Sequence, residues 1–276
     1  MLRLWSGSGM RISRKKTSDM FSSKCCPVWT NTCRASSREA SALLTTAAFI
    51  LAFYWAEVQT FGTVTVPQKL ETVRPLIAQT ADGFVYGRAW FSQKIFYFHV
   101  PVAEASFLVL LIAAYFSVRF LMTKRKDYDT KAKVAMEVAL VFTTLTMITG
   151  VLWTKASWNV WWEWEPRLTT YFIMLLLIIA YFVLRNSIED EERRATYAAV
   201  FGVIAAIDAP ISFMITRLIP SNHPVVFTSG FATSNLVPFI IAQVGMLMIG
   251  YAIYVMRMSE ERLLERVDEA KAALEG

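Results

Sequence analysis

The sequence predicts an all-α, polytopic integral membrane protein with six transmembrane helices and both termini in the cytoplasm. Three observations lead there. The 276 residues are 55% hydrophobic and only 18% charged, against about 25% charged in an ordinary soluble domain. The charges gather between long apolar runs, the pattern of a chain that crosses a bilayer repeatedly. Lysine and arginine are also unevenly placed: twenty of the 28 fall in segments that would share one side. A soluble enzyme with a single core is excluded. The net charge of +6 records orientation, and no nucleic-acid partner is expected.

The elements follow in order. Residues 1–39 are rich in Ser, Arg and Lys and hold Cys25, Cys26 and Cys33, all the cysteines of the chain. No fourth ligand stands near them, so they read as a disordered, reduced cytoplasmic tail before they read as zinc ligands. An over-called start, with Met10 or Met20 as initiator, and a transit peptide are the lesser readings. Residues 40–256 form the membrane domain. Its spans fall near 40–58, 97–122, 133–154, 168–185, 196–218 and 236–256. A core of ~30 Å needs about 20 helical residues at ~1.5 Å each. Period-2 alternation is absent, which argues against a β-barrel. The basic connections at 124–133 and 185–194 face the cytoplasm with the tail. The 59–93 loop, the Trp-rich 155–167 loop and the 219–235 loop then face outward. Residues 257–276 continue the last helix into the cytoplasm, with Leu263, Leu264, Val267 and Leu274 as a weak apolar stripe.

Only two histidines occur, His99 and His223. His99 stands two residues before Pro101. Proline is tolerated in the first turn of a helix, so the regular helix of span two is expected to start near there, with His99 at the outer interface. His223 lies in a proline-bearing loop on the same side. Each alone reads as a hydrogen-bonded loop residue. Together on one face they suit zinc, copper or haem iron. Zinc needs further ligands, which Glu104, Glu163 or Glu165 supply in type.

Five of the nine tryptophans crowd into Trp153–Trp164: Trp153, Trp158, Trp161, Trp162 and Trp164. An interfacial belt uses one or two per helix end. An aromatic platform suits a large, flat, apolar ligand whose polar groups meet indole N–H. Haem is such a ligand, with an iron for two axial nitrogens. Arg167, with Lys155 nearby, is placed to meet anionic propionates. A quinone explains the platform but not the two histidines.

These residues also resemble a known family. The run Trp158-Asn-Val-Trp-Trp-Glu-Trp-Glu-Pro-Arg-Leu-Thr169 is similar to the tryptophan-rich WWD signature of the haem-handling proteins of cytochrome c biogenesis. Asn159 stands where that signature has Gly, and Glu165 where it has Asp. Ile95-Phe-Tyr-Phe-His-Val-Pro101 looks like the family's I-x-Y-x-H-V-P, and Asp208-Ala-Pro-Ile211 with His223-Pro224 like its V-P-I … H-P. Order and spacing match the cytochrome c maturation protein C (CcmC) branch over residues 40–256. Glu104 stands where that branch more often has an apolar residue. The resemblance implies non-covalent haem b held by His99 and His223 as axial ligands, with Trp158, Trp161, Trp162, Trp164 and Arg167 around it. It implies presentation of haem to a membrane-anchored periplasmic chaperone, beside an ABC-type permease and a cytoplasmic ATPase. It places the protein in a bacterial or archaeal inner membrane. It implies no enzyme activity, and no nucleotide-binding G-x-x-x-x-G-K-[ST] run occurs.

Two rivals stay open. Glu104 and Asp208 are ionisable groups inside spans, the mark of an ion- or proton-coupled transporter, although no internal repeat is visible. A haem lyase subunit of the other cytochrome c assembly system would share the Trp signature.

Overall fold

The computed structural model describes residues 27–56, 78–80, 83–85, 87–219, 223 and 233–275. Among these residues six helices carry the fold: α1 (Pro27–Tyr54), α2 (Gly87–Thr123), α3 (Lys126–Trp158), α4 (Pro166–Ser187), α5 (Glu191–Leu218) and α6 (Thr233–Glu275). Strands β1 (Ala78–Thr80) and β2 (Gly83–Val85) form a short antiparallel ladder with Gln79 opposite Phe84. This hairpin qualifies the all-α expectation. Strands of three residues are too short to show a period in the sequence. The expected disordered tail lies largely outside the described residues, and from Pro27 onward the chain is already α1.

Helices α2 to α6 are long and apolar enough to cross a membrane. The shortest, α4, has 22 residues, about 33 Å at ~1.5 Å each, still longer than a ~30 Å hydrocarbon core. In α1 the apolar stretch is shorter, Glu39–Tyr54, behind a polar first half. The protein is a multi-pass membrane protein, with five helices among the described residues meeting the requirement where six were expected.

Helix α2 is central. It packs most extensively on α3 and also on α5, α6 and α1, while α4 lies on α5 and α1 on α6. Small residues permit this closeness. Helix α5 buries Ala198, Gly202, Ala205 and Ala209 at helical spacing. A Cβ on Gly202 would come within 2.8 Å of Ser117 Oγ on α2, so a larger residue there would displace that hydroxyl. Large apolar side chains point the other way. Leu108, Leu111, Ile112 and Tyr115 on α2, and Ile173, Leu176, Ile179 and Val183 on α4, are exposed at three- and four-residue spacing. In water such stripes would be costly; against lipid they are solvated.

The helices alternate in direction, so their connections gather at two ends. At one end charges tie three helices. Arg185 grips Asp129 with two bonds of 2.7 and 2.5 Å. Lys133 meets Glu261 at 2.8 Å and Arg257 meets Glu137 at 2.8 Å. The bidentate pair is the strongest of these, being planar and nearly shielded from solvent. Beyond it α6 runs on, exposing Leu263, Leu264, Val267 and Leu274.

The other end holds the histidines. Here the expectation that α2 becomes helical near Pro101 fails: the helix begins at Gly87 and runs through the proline. His99 therefore lies within the helix. An internal proline costs about 3 kcal/mol, because the Tyr97 carbonyl loses its N–H partner. Packing on the preceding turn offsets that cost. Phe96 stacks on Phe239 of α6 at 5.5 Å, Tyr97 donates its O–H to Asn235 Oδ1 at 2.8 Å, and Phe98 meets Phe49 of α1 at 5.7 Å.

Candidate functional site

The Trp-rich segment is a helix–loop–helix corner. Helix α3 extends to Trp158, so the irregular part is shorter than the 155–167 expected and runs from Asn159 to Glu165. Asn159 closes α3 in the left-handed conformation, φ 66° and ψ 14°, its N–H donating to the Lys155 carbonyl at 3.2 Å. Glycine and then asparagine adopt that conformation at least cost. Glu165 opens α4: its buried carboxylate accepts the N–H groups of Arg167 and Leu168, each at 3.1 Å, with Pro166 as first helical residue. Both positions where this chain departs from the signature are therefore helix-terminal caps.

Two of the corner's neighbours are the histidines. His99 and His223 line one cleft with Ala103, Glu104, Thr146, Gly150, Arg167, Tyr171 and Arg217. Residues more than a hundred positions apart in sequence are brought together because α2, α3, α4 and α5 all end here. The cleft is partly open and holds about 60 Å³ of space. His99 Nδ1 lies 2.9 Å from Thr149 Oγ1. Burial holds the His223 imidazole well below the usual histidine range, and the charges of Arg167 and His99 add to the effect. A neutral imidazole keeps a lone pair for a metal. The floor is polar: Tyr171 bonds to Ser106 Oγ, which itself donates to the Ala103 carbonyl at 2.7 Å.

The tryptophans divide into two groups. Trp153 and Trp158 wrap His223, with ring centroids 5.3 and 6.4 Å from it and 5.2 Å from each other. Trp162 rests edge-on against Phe172 at 5.7 Å and against Trp164 at 5.4 Å. Trp161 and Trp164 are exposed, at 59% and 72% of their surface. Lys155 does not line the cleft. It covers the Trp161 ring at 5.4 Å and donates to the Asn159 carbonyl at 3.0 Å.

Of the residues singled out in the sequence, His99, His223, Arg167 and Glu104 share the cleft, while Trp158 reaches it through His223. Trp161, Trp162 and Trp164 form the outer corner. Asp208 does not line the cleft. Among the described residues no three His, Cys, Asp or Glu side chains gather as a metal-binding group, which leaves the zinc reading without a third ligand there. Sequence reasoning did not assign Trp153, Thr149, Gly150 or Arg217 to the site. For Arg217 a signal existed: it is a cation six residues before His223.

Comparison with known proteins adds a second line. A family model described as heme exporter protein C matches residues 78–273. A heme exporter protein C of Bradyrhizobium diazoefficiens is 30% identical over 179 residues, 63% of this chain and 68% of that protein. One of Paracoccus denitrificans is 30% identical over 142 residues, 49% of this chain and 59% of that protein. A putative cytochrome c biosynthesis ccmC-like mitochondrial protein of Marchantia polymorpha is 34% identical over 118 residues, 43% of this chain and 49% of that protein. The matched stretches thus span about half to two thirds of these relatives.

Proposed function

The chain belongs to the heme exporter protein C family, and from that premise we propose that it holds haem between His99 and His223 and hands it to an acceptor for cytochrome c maturation. One observation carries the reading: the only two histidines of the chain line the same cleft. The surroundings fit the cargo. Trp153 and Trp158 offer aromatic faces beside His223, and Arg167 and Arg217 offer guanidinium groups for propionates. The three cysteines fall at 25, 26 and 33, outside the cleft-lining segments, so haem b is held without a thioether bond.

The exposed Trp161 and Trp164 face is the contact for a membrane-anchored haem chaperone on the outer side. An ABC-type permease and its cytoplasmic ATPase are the further partners, and this chain transfers haem without enzymatic chemistry of its own. In this reading α1 is a sixth span, both termini are cytoplasmic and the membrane is a bacterial or archaeal inner membrane. The basic end of the bundle supports that orientation. The decisive experiment is absorption and EPR spectroscopy of purified protein and of His99→Ala and His223→Ala. Low-spin bis-imidazole haem, lost or converted in each variant, is the expected result. An unchanged spectrum in either variant removes that histidine from the site. Bound zinc without a Soret band would defeat the reading altogether.

A further inference from the structure

We infer that Thr149, with Gly150 beside it, is the seat that fixes His99 as an iron ligand through Nε2. The inference rests on the haem-ligand reading of His99 and goes beyond it. Thr149 Oγ1 lies 2.9 Å from His99 Nδ1. A hydroxyl has one proton to give and two lone pairs to offer. That proton is already committed within α3, to the Leu145 carbonyl at 2.8 Å and shared with the Thr146 carbonyl at 3.2 Å. Toward the imidazole, Oγ1 is left as an acceptor. Nδ1 therefore carries the hydrogen and Nε2 the lone pair, the tautomer that ligates a metal through Nε2.

Gly150 completes the seat from the next position. A Cβ there would stand 3.2 Å from His99 Cε1, 3.9 Å from Nδ1 and 4.0 Å from Nε2. The first distance is tighter than ordinary contact, so a side chain there makes the ring give by a few tenths of an ångström and loads the bond to Thr149. One residue sets the ring's rotation and the other clears its place. The arrangement has a redox consequence. A donating Nδ1–H makes the imidazole a stronger electron donor to a bound metal, which favours the ferric over the ferrous state. Thr149 is accordingly a positioning residue for His99.

The test uses the full-length protein in detergent. Haem titration, EPR spectra and midpoint potentials are measured for wild type, Thr149→Val, Thr149→Ser, Gly150→Ala and His99→Ala. Valine keeps the shape of threonine and removes the hydroxyl, both its acceptor toward His99 and its donation to the helix carbonyls, which Thr149→Ser retains. Thr149→Val is expected to weaken haem binding about 10- to 100-fold, move the midpoint potential positive and change the low-spin g-values. Thr149→Ser is expected to restore all three. Gly150→Ala is expected to weaken binding although Thr149 is intact. If Thr149→Val matches wild type in all three readouts while His99→Ala loses the low-spin signal, the seat is refuted and the ligand reading stands. If His99→Ala is itself silent, the ligand reading falls and the seat falls with it.

Discussion

The Glu165 carboxylate accepts the backbone N–H of Arg167 at 3.1 Å, so the residue that ends the Trp-rich corner also sets the first turn of the helix bearing a cleft guanidinium. It takes the Leu168 N–H as well, satisfying two of the N–H groups that a helix start leaves without partners. Glu165→Asp keeps a capping carboxylate, and thermal unfolding and haem affinity are expected near wild type. Glu165→Ala removes the cap, worth about 0.5–2 kcal/mol. Its melting point in detergent should fall, and haem affinity should fall with it as Arg167 shifts. A lowered melting point with intact haem affinity would separate the cap from the site.

Arg167 and Arg217 line one cleft from different helices. Arg217 is steadied by the Phe213 carbonyl at 3.2 Å and by the Phe213 ring at 4.8 Å. A lysine keeps the charge but not the planar fork. A charge-assisted hydrogen bond contributes about 1.5–3 kcal/mol, so Arg167→Lys should loosen haem about 10- to 150-fold. Haem esterified at both propionates should be insensitive to the change. If each arginine holds its own propionate, the losses of Arg167→Lys and Arg217→Gln add as free energies in the double variant. Loss no greater than that of one single variant would mean both act on the same carboxylate.

Lys94 joins α1 to the bundle beside the site. Its buried Nζ donates to the Ala56 carbonyl at 2.9 Å and to the Ala52 carbonyl, capping the C-terminal end of α1. Lys94→Met keeps the apolar stem and removes the donors. A buried carbonyl left without its partner costs about 1–3 kcal/mol. Helix α1 should then separate from α6. Thr45 and Gly245 are in close approach, so a cysteine pair at 45 and 245, in a background without the native cysteines, should cross-link less in the Lys94 variant. Equal cross-linking would show that apolar packing alone docks α1.

How much of this was legible in the sequence differs from part to part. Five of the six expected spans were, because a bilayer demands an unbroken apolar run and helices α2 to α6 supply it. The start of α2 was not. Pro101 is a local signal for a helix beginning, and the contacts that override it come from Phe49, Asn235 and Phe239 on other helices. The histidine pair was legible as a chemical oddity, since the chain has only two. Its setting was hidden. Thr149 and Gly150 carry no signature of a site, and only the packing of α3 against α2 brings them to His99. The corner's outer limits were overestimated because an asparagine in a tryptophan run reads as loop, whereas Asn159 is the cap of a helix that already includes Trp158.

The tryptophans should separate by function along the line the geometry draws. Trp153 and Trp158 contact His223, with centroids at 5.3 and 6.4 Å, and each supplies one wall of its position. Trp161 and Trp164, at 59% and 72% exposure, meet Lys155 and Trp162 instead. Leucine at 153 or 158 removes an aromatic wall worth about 0.5–1.5 kcal/mol beyond its buried area, so haem affinity should drop several-fold or more in each. Leucine at 161 or 164 should leave haem affinity unchanged and reduce capture of the haem chaperone, measured by pull-down with haem-loaded protein. Trp162 lies between the groups, its ring held by Phe172 and Trp164, and its loss should lower chaperone capture by letting Trp164 move. Uniform loss of haem across all five variants would mean that the corner acts as one binding surface. Uniform retention of both haem and chaperone capture would reduce it to a membrane-interface anchor.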